Sequence, residues 1–117
     1  MSTPVAVVIL TNVTQDMSAV YRGLDTAREF VDAGDDVTIV FDGSGTESLA
    51  ALSAPDHALH GLLEGLRDQV RGACGFCAKS HKVAEPITGA GYTLLTENRG
   101  HASIRSLVTE GRQVLTF

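Results

Sequence analysis

The sequence predicts an α/β fold in which about five mainly parallel strands form one sheet with helices on both faces. Short β-branched runs alternate with longer segments of helical periodicity, and the runs are apolar throughout rather than at every second residue. A strand of that kind is buried on both faces, as in a parallel sheet covered by helices. The length of 117 residues, with 44% hydrophobic content, fits one domain spanning 1–117 whose core needs no disulfide staples.

The first strand is read from Val5-Ala6-Val7-Val8-Ile9-Leu10, followed by a polar loop from Thr11 to Gln15. A helix then runs from about Met17 to Ala33, with Val20, Leu24, Ala27 and Val31 on its buried stripe. Asp16 is placed to cap its start and Gly34 to stop it. Val37-Thr38-Ile39-Val40-Phe41 is the second strand, which completes a right-handed βαβ unit. The glycine-rich turn Asp42-Gly43-Ser44-Gly45-Thr46 leads into a short helix through Leu52, with Thr46 as its expected cap.

Pro55-Asp56 opens a further helix carrying Leu59, Leu62, Leu63 and Leu66. Gln69 to Cys74 is the third strand, its propensity weakened by Gly72. One helix is expected from near Phe76 to just before Pro86, and a fourth strand over Tyr92-Thr93-Leu94-Leu95-Thr96. Ser103 caps a helix with Ile104, Leu107 and Val108, Gly111 ends it, and Val114 to Phe117 is the last strand. The sum is a doubly wound sheet of the Rossmann-like or flavodoxin-like type.

The composition excludes several functions. With a net charge of −5, Lys79 and Lys82 as the only lysines and no basic run, the chain is not expected to bind nucleic acid. Its longest apolar run, Val5 to Leu10, is too short to span a membrane. Met1-Ser2-Thr3-Pro4 lacks the positive flank and cleavage site of a signal peptide, so the expected location is the reducing cytoplasm. There, two close cysteines point to redox or metal chemistry more than to a structural bridge.

In doubly wound sheets, ligands bind beyond the carboxyl ends of the strands. Three segments reach that edge: the loop containing Asn12, the turn containing Asp42, Gly43 and Gly45, and Cys74-Gly75-Phe76-Cys77. Cys74 closes a strand and Cys77 falls in the first turn of the next helix, where backbone amides favour a thiolate of lowered pKa. Two intervening residues allow a local disulfide, or attack by one cysteine on a sulfur carried by the other, and Gly75 permits the tight turn between them. The plainer alternative is two half-buried cysteines packing as small hydrophobes. The motif is similar to the thioredoxin pair, but it follows the third strand, and no proline loop stands where that fold would place one.

His57 is a possible thiolate partner or proton donor at that edge, and His81, one helical turn beyond Cys77, is another. His57, His60, Cys74 and Cys77 together have the makings of a tetrahedral zinc set. Capping or solvent-exposed histidines are the plainer reading of the first two, so no metal is assigned. His101 lies in a polar loop and is given no role. The glycine turn suggests an anion cradle on backbone amides, or simply a turn into a capped helix. It is neither Gly-x-Gly-x-x-Gly nor a Walker loop, so no nucleotide or other cofactor is expected. No Gly-x-Ser-x-Gly elbow is present.

Val40-Phe41-Asp42-Gly43, Gly72-Ala73-Cys74-Gly75-Phe76-Cys77 and Glu110-Gly111-Arg112-Gln113-Val114-Leu115-Thr116-Phe117 give the chain a further likeness. From Pro4 to Phe117 it resembles the small DsrE/DsrF-like proteins, which include the YchN-like and TusD-like chains. The resemblance implies a Rossmann-like domain that assembles into trimers or hexamers and relays sulfur as a cysteine persulfide between partner proteins. Cys74 takes the carrier position. Cys77 is a departure, because simple relay needs no second cysteine; it leaves open a thiol–disulfide role or a step that releases sulfur from Cys74, and the leading expectation is a resolving thiol. Two other readings stand beside this one: a non-enzymatic oligomeric module binding a ligand or protein, and a Cys-x-x-Cys metal-binding protein.

Overall fold

The computed structural model describes residues 2–117. It contains one five-stranded sheet, parallel throughout, in the order β4-β3-β2-β1-β5. The strands are β1 (Pro4–Ile9), β2 (Asp36–Phe41), β3 (Val70–Cys74), β4 (Leu94–Leu95) and β5 (Gln113–Thr116). The helices are α1 (Met17–Asp32), α2 (Gly45–Leu52), α3 (His60–Gly65), α4 (Gly75–Ser80), α5 (Ala84–Gly89) and α6 (Ile104–Thr109).

The strand order explains the layers. Strands β1 to β4 are laid down successively in one direction, and right-handed crossovers put every intervening helix on the same face. The chain then returns past the whole sheet to place β5 beside β1, so α6 comes to the other face. The period-2 alternation of each strand divides its residues accordingly. Val5, Val7, Ile9, Val37, Ile39, Phe41 and Ala73 pack with α1 to α5. Ala6, Val8, Val40, Cys74 and Leu95 pack with Ala102 and Leu107 on the second face.

Several local expectations hold in detail. Asp16 accepts the amide of Ala19 at 3.1 Å, Ser103 accepts that of Ser106 at 3.1 Å, and Gly34 follows α1 at φ +86. Others are corrected. The helix expected from Phe76 to Pro86 is two helices, broken at His81-Lys82-Val83 where Lys82 takes φ +61. Pro86 lies inside the first turn of α5, where its missing N–H costs nothing. The helix expected from Pro55 starts only at His60, because residues 53–59 form successive turns. Thr46 does not cap α2. That position is Ser44, and the Thr46 hydroxyl donates back to the Gly43 carbonyl at 2.8 Å.

Gly72, read as a weak point of the third strand, is what lets β3 and β4 approach. It sits at φ +154, and a Cβ there would collide with the Thr93 carbonyl oxygen.

Candidate functional site

Strands β1, β2 and β3 end at one edge of the sheet, and the unusual polar residues gather there. Cys74 is the last residue of β3 and faces the second layer, where it is fully buried. Cys77, half-buried in the first turn of α4, packs against the same cluster. Both cysteines are free thiols.

The third member is His101, which lies between β4 and α6. Its Nδ1 stands 3.6 Å from Cys74 Sγ, across 27 residues of sequence. The two sulfurs and this nitrogen lie within 4.8 Å of one another.

His101 is held by a tight turn. Asn98 and His101 exchange amide-to-carbonyl hydrogen bonds of 2.9 and 2.8 Å, while Arg99 and Gly100 between them take φ values of +51 and +89. These positive values are those of a turn that favours Asn and Gly. The Gly100 carbonyl accepts the Phe76 amide at 2.8 Å, which ties the turn to the start of α4. The Phe76 ring, 54% exposed, stacks on the imidazole with centroids 4.4 Å apart.

Gly75 permits this closeness: a Cβ there would meet Thr96 Cγ2 at 2.8 Å and the Leu95 carbonyl oxygen at 3.2 Å. Its contribution is close approach as much as turning.

Asp42 closes the site from β2. Its Oδ1 lies 3.7 Å from Cys77 Sγ and also accepts the Gly43 amide at 2.9 Å. The electrostatics of Cys77 reverse the expected lowering of its pKa. Burial, the hydrogen bond with Cys74 and the electrostatic influence of Cys74 and Asp42 outweigh the Gly43 amide and push its thiol up to about 11. Helix α4 has six residues, and its dipole does not offset these effects.

The remaining expected residues have other partners. The amides of Gly45, Thr46 and Glu47 are engaged by the carbonyls of Asp42, Gly43 and Ser44, so this turn does not offer them as an anion cradle. Gly45 serves packing, since a Cβ would collide with the Ile9 carbonyl oxygen.

His57 does not reach the cysteines. Its Nδ1 accepts the Leu59 amide at 3.0 Å, and His60 Nδ1 bonds the Leu52 carbonyl at 2.8 Å, both beyond the end of α2. The zinc set built on these two histidines is therefore not assembled. His81 does not lie on Cys77 Sγ either. Its ring reaches Glu47 Oε2 at 3.3 Å, and the same oxygen accepts from Asn12 Nδ2 at 2.8 Å. Asn12 and His81 are thus joined through Glu47, a residue that sequence reasoning passed over. Asn12 also folds its own loop, its Oδ1 accepting the Thr14 amide at 2.9 Å.

Fold and site together define a doubly wound α/β protein with a dithiol–imidazole cluster at its carboxyl edge. No family model matches the chain, and no curated protein matches it. Among solved structures it is similar to a conserved protein of unknown function from Bacteroides thetaiotaomicron. The TM-score is 0.58 and the identity 20%, covering 96% of this chain and 94% of that one. At that identity the likeness shows the fold. Among the described residues no helix is long and apolar enough to cross a membrane.

Proposed function

We propose that this protein is a small cytoplasmic sulfur carrier of the DsrE/DsrF-like kind, which takes up sulfane sulfur on Cys74 and passes it to a partner protein or releases it with the help of Cys77. The supporting observation is the approach of two free thiols and one imidazole nitrogen to within 4.8 Å at the sheet edge.

The chemistry divides among the three groups. His101 Nδ1, 3.6 Å from Cys74 Sγ, takes the thiol proton. The Cys74 thiolate attacks the outer sulfur of a persulfide or thiosulfonate donor. The donor's S–S bond breaks, the electron pair leaves on its thiolate or sulfinate, and Cys74 holds a persulfide. Cys77, whose pKa of about 11 keeps it protonated near neutral pH, does not compete in this step.

In the resolving step the outer sulfur of the Cys74 persulfide takes the Cys77 proton, and the Cys77 thiolate so formed attacks the inner sulfur. A Cys74–Cys77 disulfide forms, the outer sulfur departs with the Cys77 proton as hydrosulfide, and a cellular dithiol later reduces the disulfide. In relay, an acceptor thiolate instead takes the outer sulfur and leaves Cys74 reduced. Assembly into a trimer or hexamer belongs to the same reading.

Intact-mass spectrometry of the reduced protein, before and after a sulfane-sulfur donor, tests it. A gain of one sulfur mapping to Cys74, reversed by reductant and lost in Cys74→Ala, is expected. Equal loading of wild type and variant rejects the assignment.

A further inference from the structure

We infer that Cys74, Cys77 and His101 also form a binding site for a thiophilic divalent cation, with zinc(II) as the ion its donor set fits. Two thiolates and an imidazole select zinc over magnesium or calcium, and three protein ligands leave a fourth position open.

The spacing agrees with that coordination. Zinc–sulfur and zinc–nitrogen bonds of about 2.3 and 2.0–2.1 Å in a tetrahedron place neighbouring ligand atoms about 3.5–3.8 Å apart. Cys74 Sγ and His101 Nδ1 are already 3.6 Å apart, and Cys77 Sγ lies within 4.8 Å of both. Bringing Cys77 Sγ to the same separation closes the set.

Each ligand is held without help from an ion. Cys74 ends a buried strand and Cys77 sits in the first turn of a helix. His101 is locked by its exchange of hydrogen bonds with Asn98 and by the stack on Phe76. On the Cys74 side the surroundings are apolar, with Leu95 and Ala102 in the same buried cluster, while Cys77 and His101 are half-buried and leave the site open to solvent. Asp42 Oδ1 lies 3.7 Å from Cys77 Sγ but outside the three-ligand group, so the fourth place is left to water. Binding releases the two thiol protons to solvent. The histidine is not one of the pair that a reading of spacing would choose. His57 and His60 are occupied elsewhere, and His101 supplies the nitrogen.

This inference stands apart from the sulfur-carrier reading, since it needs no persulfide. The two occupants exclude each other, because a thiolate bound to zinc does not carry sulfane sulfur.

The test is anaerobic titration of the full, reduced, chelator-stripped chain with cobalt(II), then zinc(II). One equivalent of cobalt should give tetrahedral d–d bands and thiolate-to-metal charge transfer, both displaced by zinc. Zinc should also slow alkylation of Cys77 in the wild type. His101→Ala, with unchanged far-ultraviolet circular dichroism, should weaken affinity by about 10-fold or more, and Cys77→Ser should reduce the charge-transfer intensity.

Absence of cobalt–thiolate absorption in the wild type overturns the inference. So does wild-type affinity in both variants. Should the variants fail to fold, wild-type alkylation unchanged by zinc overturns it alone. Sulfur loading without cobalt binding rejects the metal site and keeps the carrier. Cobalt binding without loading does the reverse.

Discussion

Cys74 and Cys77 differ because their surroundings differ. The first is buried beside an imidazole, and the second is half-buried beside a carboxylate. A Cys77→Ala variant should therefore still load sulfur on Cys74 but fail to release sulfide in the absence of an acceptor thiol. Sulfide release that persists in that variant would remove the resolving role. The pH dependence follows from the raised pKa. The native state holds the Cys77 proton more tightly than the unfolded chain, so its contribution to stability is complete below about 9 and is lost as pH rises towards 11. Denaturant titrations at pH 8 and 11 should show a smaller loss in Cys77→Ala than in wild type, and an identical loss would contradict the assignment.

Among the elements, α4 and the turn before α6 are joined through backbone as well as side chains. The Phe76 amide meets the Gly100 carbonyl, so a shift of either element moves a cysteine against the histidine. Where α2 begins, Gly45 lies under the end of β1, and Gly45→Ala should cost about 1–3 kcal/mol in chemical denaturation through backbone overpacking. A neutral result would mean that α2 can move away without loss.

At the opposite end of the strands, Arg112 donates to the carbonyls of Val5 at 3.2 Å and Asp36 at 3.1 Å, joining β5 to β1 and β2. Glu110 receives both Arg112 and Arg71, and these two guanidinium groups hold its carboxyl down at about 2. Glu110 therefore stabilises the fold above its ordinary range near 4.5, and this contribution is lost as pH falls towards 2. The melting temperature of Glu110→Gln should consequently fall less than that of wild type between pH 5 and 3.

For the molecule as a whole, the two faces are unequally covered. Among the described residues five helices lie over one side and only α6 over the other, and Val108 on α6 is 59% exposed. A second copy against the thinner side would bury more of it, in keeping with the assembly that the DsrE/DsrF-like resemblance implies. Light scattering should give three or six times the 12.3 kDa chain mass, and a monomer at micromolar concentration would reject this.

Much of this architecture was legible before any coordinates. Apolar runs at Val5 to Leu10 and Val37 to Phe41 can be buried only by layers on both sides, so they specify a parallel, covered sheet. Asp16, Gly34 and Ser103 act within a turn of themselves, and local chemistry is enough to read them. The same reasoning put both cysteines at the carboxyl edge, because a strand followed at once by a helix can end nowhere else. The length of α3 and the break after α4 were less legible, since short helices depend on packing more than on propensity.

The tertiary structure alone chose the partners. His101 meets Cys74 because the chain returns over the second face to reach β5, and no local pattern encodes that crossing. A hint existed in Asn98-Arg99-Gly100, whose glycine suits a tight turn, but a turn does not say what it faces. Glu47 between Asn12 and His81, and the thiol of Cys77 driven up rather than down, have the same origin. Secondary structure is set by neighbours in sequence, whereas ionisation and ligand geometry are set by neighbours in space, which the chain acquires only once its sheet has closed around them.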